Sequence, residues 1–199
     1  MKLIIAAAAA AALATPALAQ DSYQPAPFQG LRVEGLLGID RQQGPFPGDA
    51  GESDGIVYGV GAGYDVRQGS LVFGGEVELT GATTDTRGDD VFLPGDRLVL
   101  DSGRDIYVGG RLGFMVTPSV LAYGKLGYTN ARTDRDYEGV AQRPDFNDGV
   151  TSGGVRVGAG AEVALAGTTF VKGEYRYSDY GSSAIEHRHQ LLAGFGFRF

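Results

Sequence analysis

Eight separate stretches of this chain alternate between apolar residues and polar or small ones, and no proline interrupts any of them. In the first, Leu31, Val33, Gly35, Leu37 and Ile39 share one parity and Arg32, Glu34, Leu36, Gly38 and Asp40 the other. The pattern recurs at Ile56–Val66, Leu71–Leu79, Asp105–Val116, Val120–Tyr128, Val155–Leu165, Val171–Tyr177 and Gln190–Phe199. A period of two belongs to a strand whose two faces meet different surroundings, and the missing prolines leave every backbone donor available to a ladder. Tight turns fall near residues 67–70, 117–119 and 166–168, and long loops rich in Gly, Asp and Pro near 42–54, 82–103, 131–150 and 179–187. Short and long connections in alternation place all the short ones at one end of an up-and-down antiparallel sheet. Eight such strands can close into a barrel, which leaves no exposed edge.

Which face points outward follows from the residues that share the charged one. Glycine is abundant, 33 in all, and on the strands it concentrates on that face, at Gly59, Gly61, Gly63, Gly158, Gly160, Gly194 and Gly196. A solvated face has no use for such gaps, whereas a narrow interior must make room for long side chains. The charges also balance: Arg32, Arg111, Lys125, Arg156, Lys172, Arg176, Arg188 and Arg198 against Glu34, Asp40, Asp65, Glu76, Glu78, Asp105, Glu162 and Glu174. Confined charges must be paired or cost several kcal/mol each. Aromatic residues gather near strand ends, with Phe28, Tyr64, Phe73, Phe114, Phe197 and Phe199 at one rim and Tyr58, Tyr128 and Tyr177 at the other. That is a double interfacial girdle. The expected fold is therefore all-β, an eight-stranded transmembrane barrel with a charged lumen, an apolar outer wall, short periplasmic turns and long extracellular loops. Both termini fall on the periplasmic side.

The N-terminus reads as an export signal. Lys2 precedes an apolar run from Leu3 to Leu13, and Ala17-Leu18-Ala19 gives the small-x-small pattern of a cleavage site. The run is too short for a spanning helix, and Pro16 breaks it. The expected division is a signal peptide over 1–19, a short periplasmic segment over 20–27 and the barrel over 28–199. The absence of cysteine excludes disulfide frameworks and thiolate chemistry. A net charge of -7 argues against nucleic acid as a partner. Since the lumen charges cancel, that negative excess belongs to the loops.

The last strand, His189-Gln190-Leu191-Leu192-Ala193-Gly194-Phe195-Gly196-Phe197-Arg198-Phe199, resembles the C-terminal signal of Gram-negative outer-membrane barrels. Glu174-Tyr175-Arg176-Tyr177-Ser178-Asp179-Tyr180-Gly181, Gly158-Ala159-Gly160-Ala161-Glu162 and Tyr123-Gly124-Lys125-Leu126-Gly127-Tyr128 are similar to strands of the OmpA/OmpX-like porin-family barrel domain of surface-antigen type. The resemblance spans nearly all of the mature chain. It implies an outer-membrane location, periplasmic chaperone escort and assembly by the outer-membrane insertion machinery, with Phe195, Phe197 and Phe199 as the assembly signal. The chain ends at Phe199, so the peptidoglycan-binding domain of full-length OmpA proteins and its wall tether are not expected.

Three functional readings remain. A polar lumen invites a channel, but eight strands enclose just enough room for side chains. Structural packing of a lumen network built from Arg32, Glu34, Glu76, Glu78, Arg111, Lys125, Arg156, Glu162, Lys172, Glu174, Arg176 and Arg198 is the plainer reading. His187 and His189, the only two histidines, lie near Ser182, Ser183 and Glu186 and could form a rim hydrolase or a metal site. Nothing nearby sets up an oxyanion hole. The acidic loops lack the spacing of an EF-hand. Arg87-Gly88-Asp89 is an adhesion tripeptide of a kind that arises readily by chance, and Gly59-Val60-Gly61-Ala62-Gly63 lies inside a strand and precedes no helix. The expected function is a structural, surface-display protein, monomeric and without catalytic residues, cofactor or metal. Its loops contact lipopolysaccharide, other envelope components or external partners.

Overall fold

The computed structural model describes residues 27–43, 52–83, 85–89, 97–138, 146–165, 167–182 and 185–199. The export signal, with Ala17 and Ala19, lies outside them. Nine strands run in chain order: β1 (Gly30–Gln43), β2 (Glu52–Gln68), β3 (Leu71–Ala82), β4 (Asp85–Asp89), β5 (Arg97–Thr117), β6 (Val120–Glu138), β7 (Phe146–Ala164), β8 (Thr169–Ser182) and β9 (Ile185–Arg198). Every pairing is antiparallel. β3 pairs with β5 and β1 with β9, so eight strands close a ring, while β4 extends the sheet against the outer part of β5.

The register fixes the shape. Followed across the strands, Tyr64 leads to Gly75, Gly110, Leu126, Val157, Tyr177, His189, Arg41 and finally Asp54, ten residues along β2 from the start. Eight strands with a shear of ten tilt by about 40° and enclose a backbone cylinder of about 8 Å radius. That interior holds side chains and little else. The outward apolar run from Val155 on β7 to Leu165 just past its end covers about 25 Å of height at this tilt, the apolar band of an outer-membrane barrel.

Alternation sorts the side chains as the sequence leads one to expect. Outward residues such as Leu37, Ile39, Val60, Val77, Val108, Leu112, Leu126, Val155 and Phe195 are exposed, and all sixteen lumen charges are buried. No helix among the described residues is long and apolar enough to cross a membrane; the strands do the crossing.

Two expectations need correction. Much of the chain expected in loops at 82–103, 131–150 and 179–187 is paired strand: β6 runs on to Glu138 against β7 from Phe146, and Arg87-Gly88-Asp89 sits in β4. Beyond the bilayer both faces of a strand meet water, so the ladder continues after the hydrophobic alternation has stopped. Phe28 is the other correction. Expected in the girdle, it is buried in the periplasmic mouth of the lumen against Val72 and Leu121. A backbone φ of 66° turns it inward, an uncommon conformation for a bulky residue.

Candidate functional site

Twelve of the lumen charges form one continuous web toward the periplasmic end and middle of the barrel. Asp65 receives three guanidiniums: Arg111 Nη2 at 2.5 Å, Arg198 Nη1 at 2.6 Å and Arg32 Nε at 3.2 Å. Glu162 joins Arg111 at 2.9 Å and Arg198 at 2.6 Å. Arg32 continues the web to Glu34 at 3.0 Å and to Glu76. Lys125 binds Glu76, Glu78 and Glu174 at 2.8–2.9 Å. Lys172 spans Glu34 at 2.7 Å and Glu174 at 3.3 Å, and Arg176 binds Glu78 at 2.8 Å and also Glu174. These are the twelve network residues expected from sequence, with Asp65 added and Arg156 set apart. Six positive and six negative groups leave the web neutral.

The remaining four charges close the lumen nearer the extracellular end. Arg188 grips Asp40 through two nitrogens at 2.7 and 2.8 Å and reaches Asp105 at 3.3 Å. Asp105 also takes Arg156, the Thr129 hydroxyl and the Tyr180 hydroxyl, while Arg156 donates to Ser178 at 2.7 Å. This cluster is neutral too. Between the two groups lies Tyr107, whose ring carries Lys125 Nζ at 4.5 Å and the Arg156 guanidinium at 5.5 Å. The Tyr107 hydroxyl and the Gln190 amide are buried without a protein partner among the described residues. Groups of that kind are ordinarily satisfied by internal water.

Sequence reasoning from charge alone missed the uncharged lumen residues. Tyr123 donates to Glu174 at 2.6 Å, and Leu36, Val57 and Leu192 form a small apolar cluster on the lumen side. The signal was available, because Tyr107 and Tyr123 have the parity of Arg111 and Lys125 on their own strands.

The lumen glycines leave space that these side chains occupy. A Cβ at Gly194 would lie 2.8 Å from Lys172 Cγ, and one at Gly63 would lie 2.9 Å from Arg32 Nη2 and 2.8 Å from the Gly75 carbonyl. A backbone carbonyl cannot swing aside. Gly63→Ala is therefore expected to destabilise the barrel by about 1–3 kcal/mol, as overpacking does. Urea unfolding of the refolded protein in detergent checks it, and an unchanged midpoint would refute the tight packing at this position.

The histidines do something different from what a catalytic set requires. Both lie on the outward face of β9. His189 Nδ1 is 2.7 Å from the Tyr175 hydroxyl, and His187 Nδ1 is 2.9 Å from the Tyr177 hydroxyl. The Tyr177 ring sits 5.7 Å from His187, stacked, and 5.1 Å from His189. His189 stands opposite Arg41 on β1, which pairs with exposed Asp54 through two bonds of 2.7 and 2.9 Å. Those bonds hold the Asp54 carboxyl below the usual carboxylate range. No group of three or more potential ligands that could hold a metal occurs among the described residues.

With this geometry in view, the relatives are informative. The family model for the outer membrane protein β-barrel domain matches residues 5–199. The chain belongs to that outer-membrane β-barrel family. A 22 kDa outer membrane protein of Rhizobium leguminosarum bv. viciae is 34% identical over 140 residues, 68% of this chain. The match spans 59% of that relative's length. Among solved structures, Neisserial surface protein A shares the fold with a TM-score of 0.55 at 19% identity, over 86% of this chain and 98% of that one. Ail, the attachment invasion locus protein of Yersinia pestis, was solved with the heparin analogue sucrose octasulfate. It gives 0.53 at 14% identity, over 86% and 99%. At such identities the likeness is one of fold. The family and the Rhizobium relative place the protein in the outer membrane, with its apolar band in lipid.

Proposed function

We propose that the barrel is a monomeric structural and surface-display element whose extracellular loops make the contacts that matter, with lipopolysaccharide, other envelope components or external partners. The observation that carries this reading is the pair of neutral charge clusters crossing the lumen. A permeating ion would have to break pairs that are already satisfied, in an interior whose width is used by side chains. Catalysis is no part of the reading, since both imidazoles engage tyrosines on the outer wall. Residues 1–19 are removed on export, periplasmic chaperones escort the chain, and the insertion machinery reads Phe195, Phe197 and Phe199.

A narrow channel is the second reading. It draws on Tyr107 and Gln190, which leave polar atoms unpaired between the two clusters. Planar-bilayer recording separates the two. The expected result is no stable conductance from the mature protein. A steady, salt-sensitive conductance that falls when Lys125 or Arg176 is replaced would overturn the structural reading in favour of the channel.

A further inference from the structure

An apolar collar rings the periplasmic mouth of the lumen. Val72, Leu121 and Phe170 are each the second residue of their strands, β3, β6 and β8, directly after the tight turns, and all three are buried. The approach to β1 is different. Phe28 takes a φ of 66° and Gly30 one of 106°, and the double reversal lifts the Phe28 ring into the collar against Val72 and Leu121, with Met115 and Ala164 beside it. A Cβ at Gly30 would lie 2.1 Å from the Phe199 carbonyl oxygen, so glycine alone can serve as the pivot there. Behind the collar stands a cation of the charge web. The Arg198 guanidinium is 6.0 Å from the Phe28 ring and 5.5 Å from the Phe170 ring, and it binds Asp65 and Glu162 at 2.6 Å each.

We propose that Phe28 is a movable stopper. Seated, it seals the charge web from periplasmic water, and it swings out on the Gly30 pivot while the barrel stays closed. Burial of an aromatic ring favours the seated state. The backbone opposes it, because a positive φ is uphill for a bulky side chain and persists only where the surroundings enforce it. Phe28 also lies outside the ladder, which begins at the Gly30–Asp65 pair. Its neighbour Pro27 is held by a long, exposed bond, from Arg67 Nη1 to the Pro27 carbonyl at 3.3 Å. Local opening draws on segments held in this way.

What the stopper guards is electrostatic. The bonds of Arg198 to Asp65 and Glu162 are strong because water is kept from them. With the ring withdrawn, periplasmic water and salt reach Arg198 first. The cluster of Arg188, Asp40 and Asp105 still closes the extracellular end, so an open stopper wets the lower web without making a through path. The stopper rests on lumen geometry alone and is independent of what the loops contact.

The chain has no cysteine, so Val72→Cys gives a single thiol behind the stopper. In detergent micelles a charged methanethiosulfonate reagent is expected to label it at least about tenfold faster than the barrel unfolds, the mark of local opening. Arg67→Gln, which frees the Pro27 carbonyl, is expected to raise that rate. Labelling no faster than unfolding would make Phe28 a fixed part of the wall and overturn the stopper. The seal is read by salt. Urea midpoints are compared at about 0.1 and about 1 M sodium chloride, where the screening length falls from about 10 to about 3 Å. The unaltered protein and Val72→Ala, which opens a cavity in the collar but leaves the stopper seated, are expected to respond to salt alike. Phe28→Ala is expected to lose about a further 0.5 M urea at the higher salt, as wetted ion pairs are screened. Phe28→Tyr keeps the ring and is expected to behave as the unaltered protein does. A salt response in Phe28→Ala no larger than in Val72→Ala would reduce Phe28 to packing and overturn the seal. Heat-modifiable gel migration reports that each variant is folded; if Phe28→Ala does not fold, the thiol rates decide.

Discussion

Replacing Glu174 by alanine is expected to lower the free energy of unfolding by about 3–5 kcal/mol, the cost of removing one partner from a buried ionic cluster. Glu174 meets Lys125, Lys172 and Arg176 and accepts the Tyr123 hydroxyl, and all five residues are buried. Without it the web carries an uncompensated positive charge in a space too narrow to readmit bulk water. Removing Lys172 as well, as Glu174→Gln with Lys172→Met, restores neutrality and is expected to recover part of the loss, because the two sites share partners and do not add. Asp54→Asn, which breaks an exposed pair, is expected to leave the unfolding midpoint where it was. Urea titration of the refolded barrel in lipid vesicles, followed by gel migration, measures all three. A loss below about 1 kcal/mol for Glu174→Ala would mean that the lumen is wet enough to solvate its charges.

The outer wall carries the second large effect. Val77 is exposed on β3, six residues from Leu71 at the periplasmic turn and close to the middle of the apolar band. Val77→Arg is expected to cost about 2–4 kcal/mol in a bilayer, and the same change at Leu71 about 0–1 kcal/mol, since the penalty follows depth. Equilibrium unfolding of both variants in vesicles gives the difference. Equal costs would contradict the orientation of the barrel, because a wall facing water has no depth for an arginine to sense.

The strands were legible because each residue on them meets one of two unlike surroundings. Lipid against Val60, Ala62 and Tyr64 and lumen against Gly61, Gly63 and Asp65 write their difference into alternate positions. The same logic failed where the two surroundings became one. Asn130 to Tyr137 on β6 pairs with Phe146 to Gly153 on β7, but no alternation marks it, and it reads as loop. The lumen charges were legible as a set, by parity and balance, yet not as pairs. That Lys172 meets Glu34, 138 residues away, and that Arg188 meets Asp40, 148 away, depends on a shear that only the closed register defines. Phe28 failed for a local reason. An aromatic residue at a strand end looks the same in sequence whether it joins the girdle or turns into the mouth, and a single backbone torsion decides. The histidine rim was visible as two nearby imidazoles, but the tyrosines facing them lie on a neighbouring strand.

The long sequence separations of the lumen pairs bear on how the barrel is made. Lys172–Glu34, Arg188–Asp40 and Arg198–Asp65 all join strands from opposite ends of the chain. They can form only when β9 reaches β1. An open sheet would have to carry those charges solvated, so a partly built barrel tolerates water on its inner face but not lipid. Closing the seam and drying the interior are then a single event, which places most of the electrostatic gain after the slow step of bringing distant strands together. Interactions absent before closure resist opening rather than hasten assembly. On that view the persistence of the finished barrel is a matter of rates: escape requires parting the first strand from the last and rewetting the charges behind them.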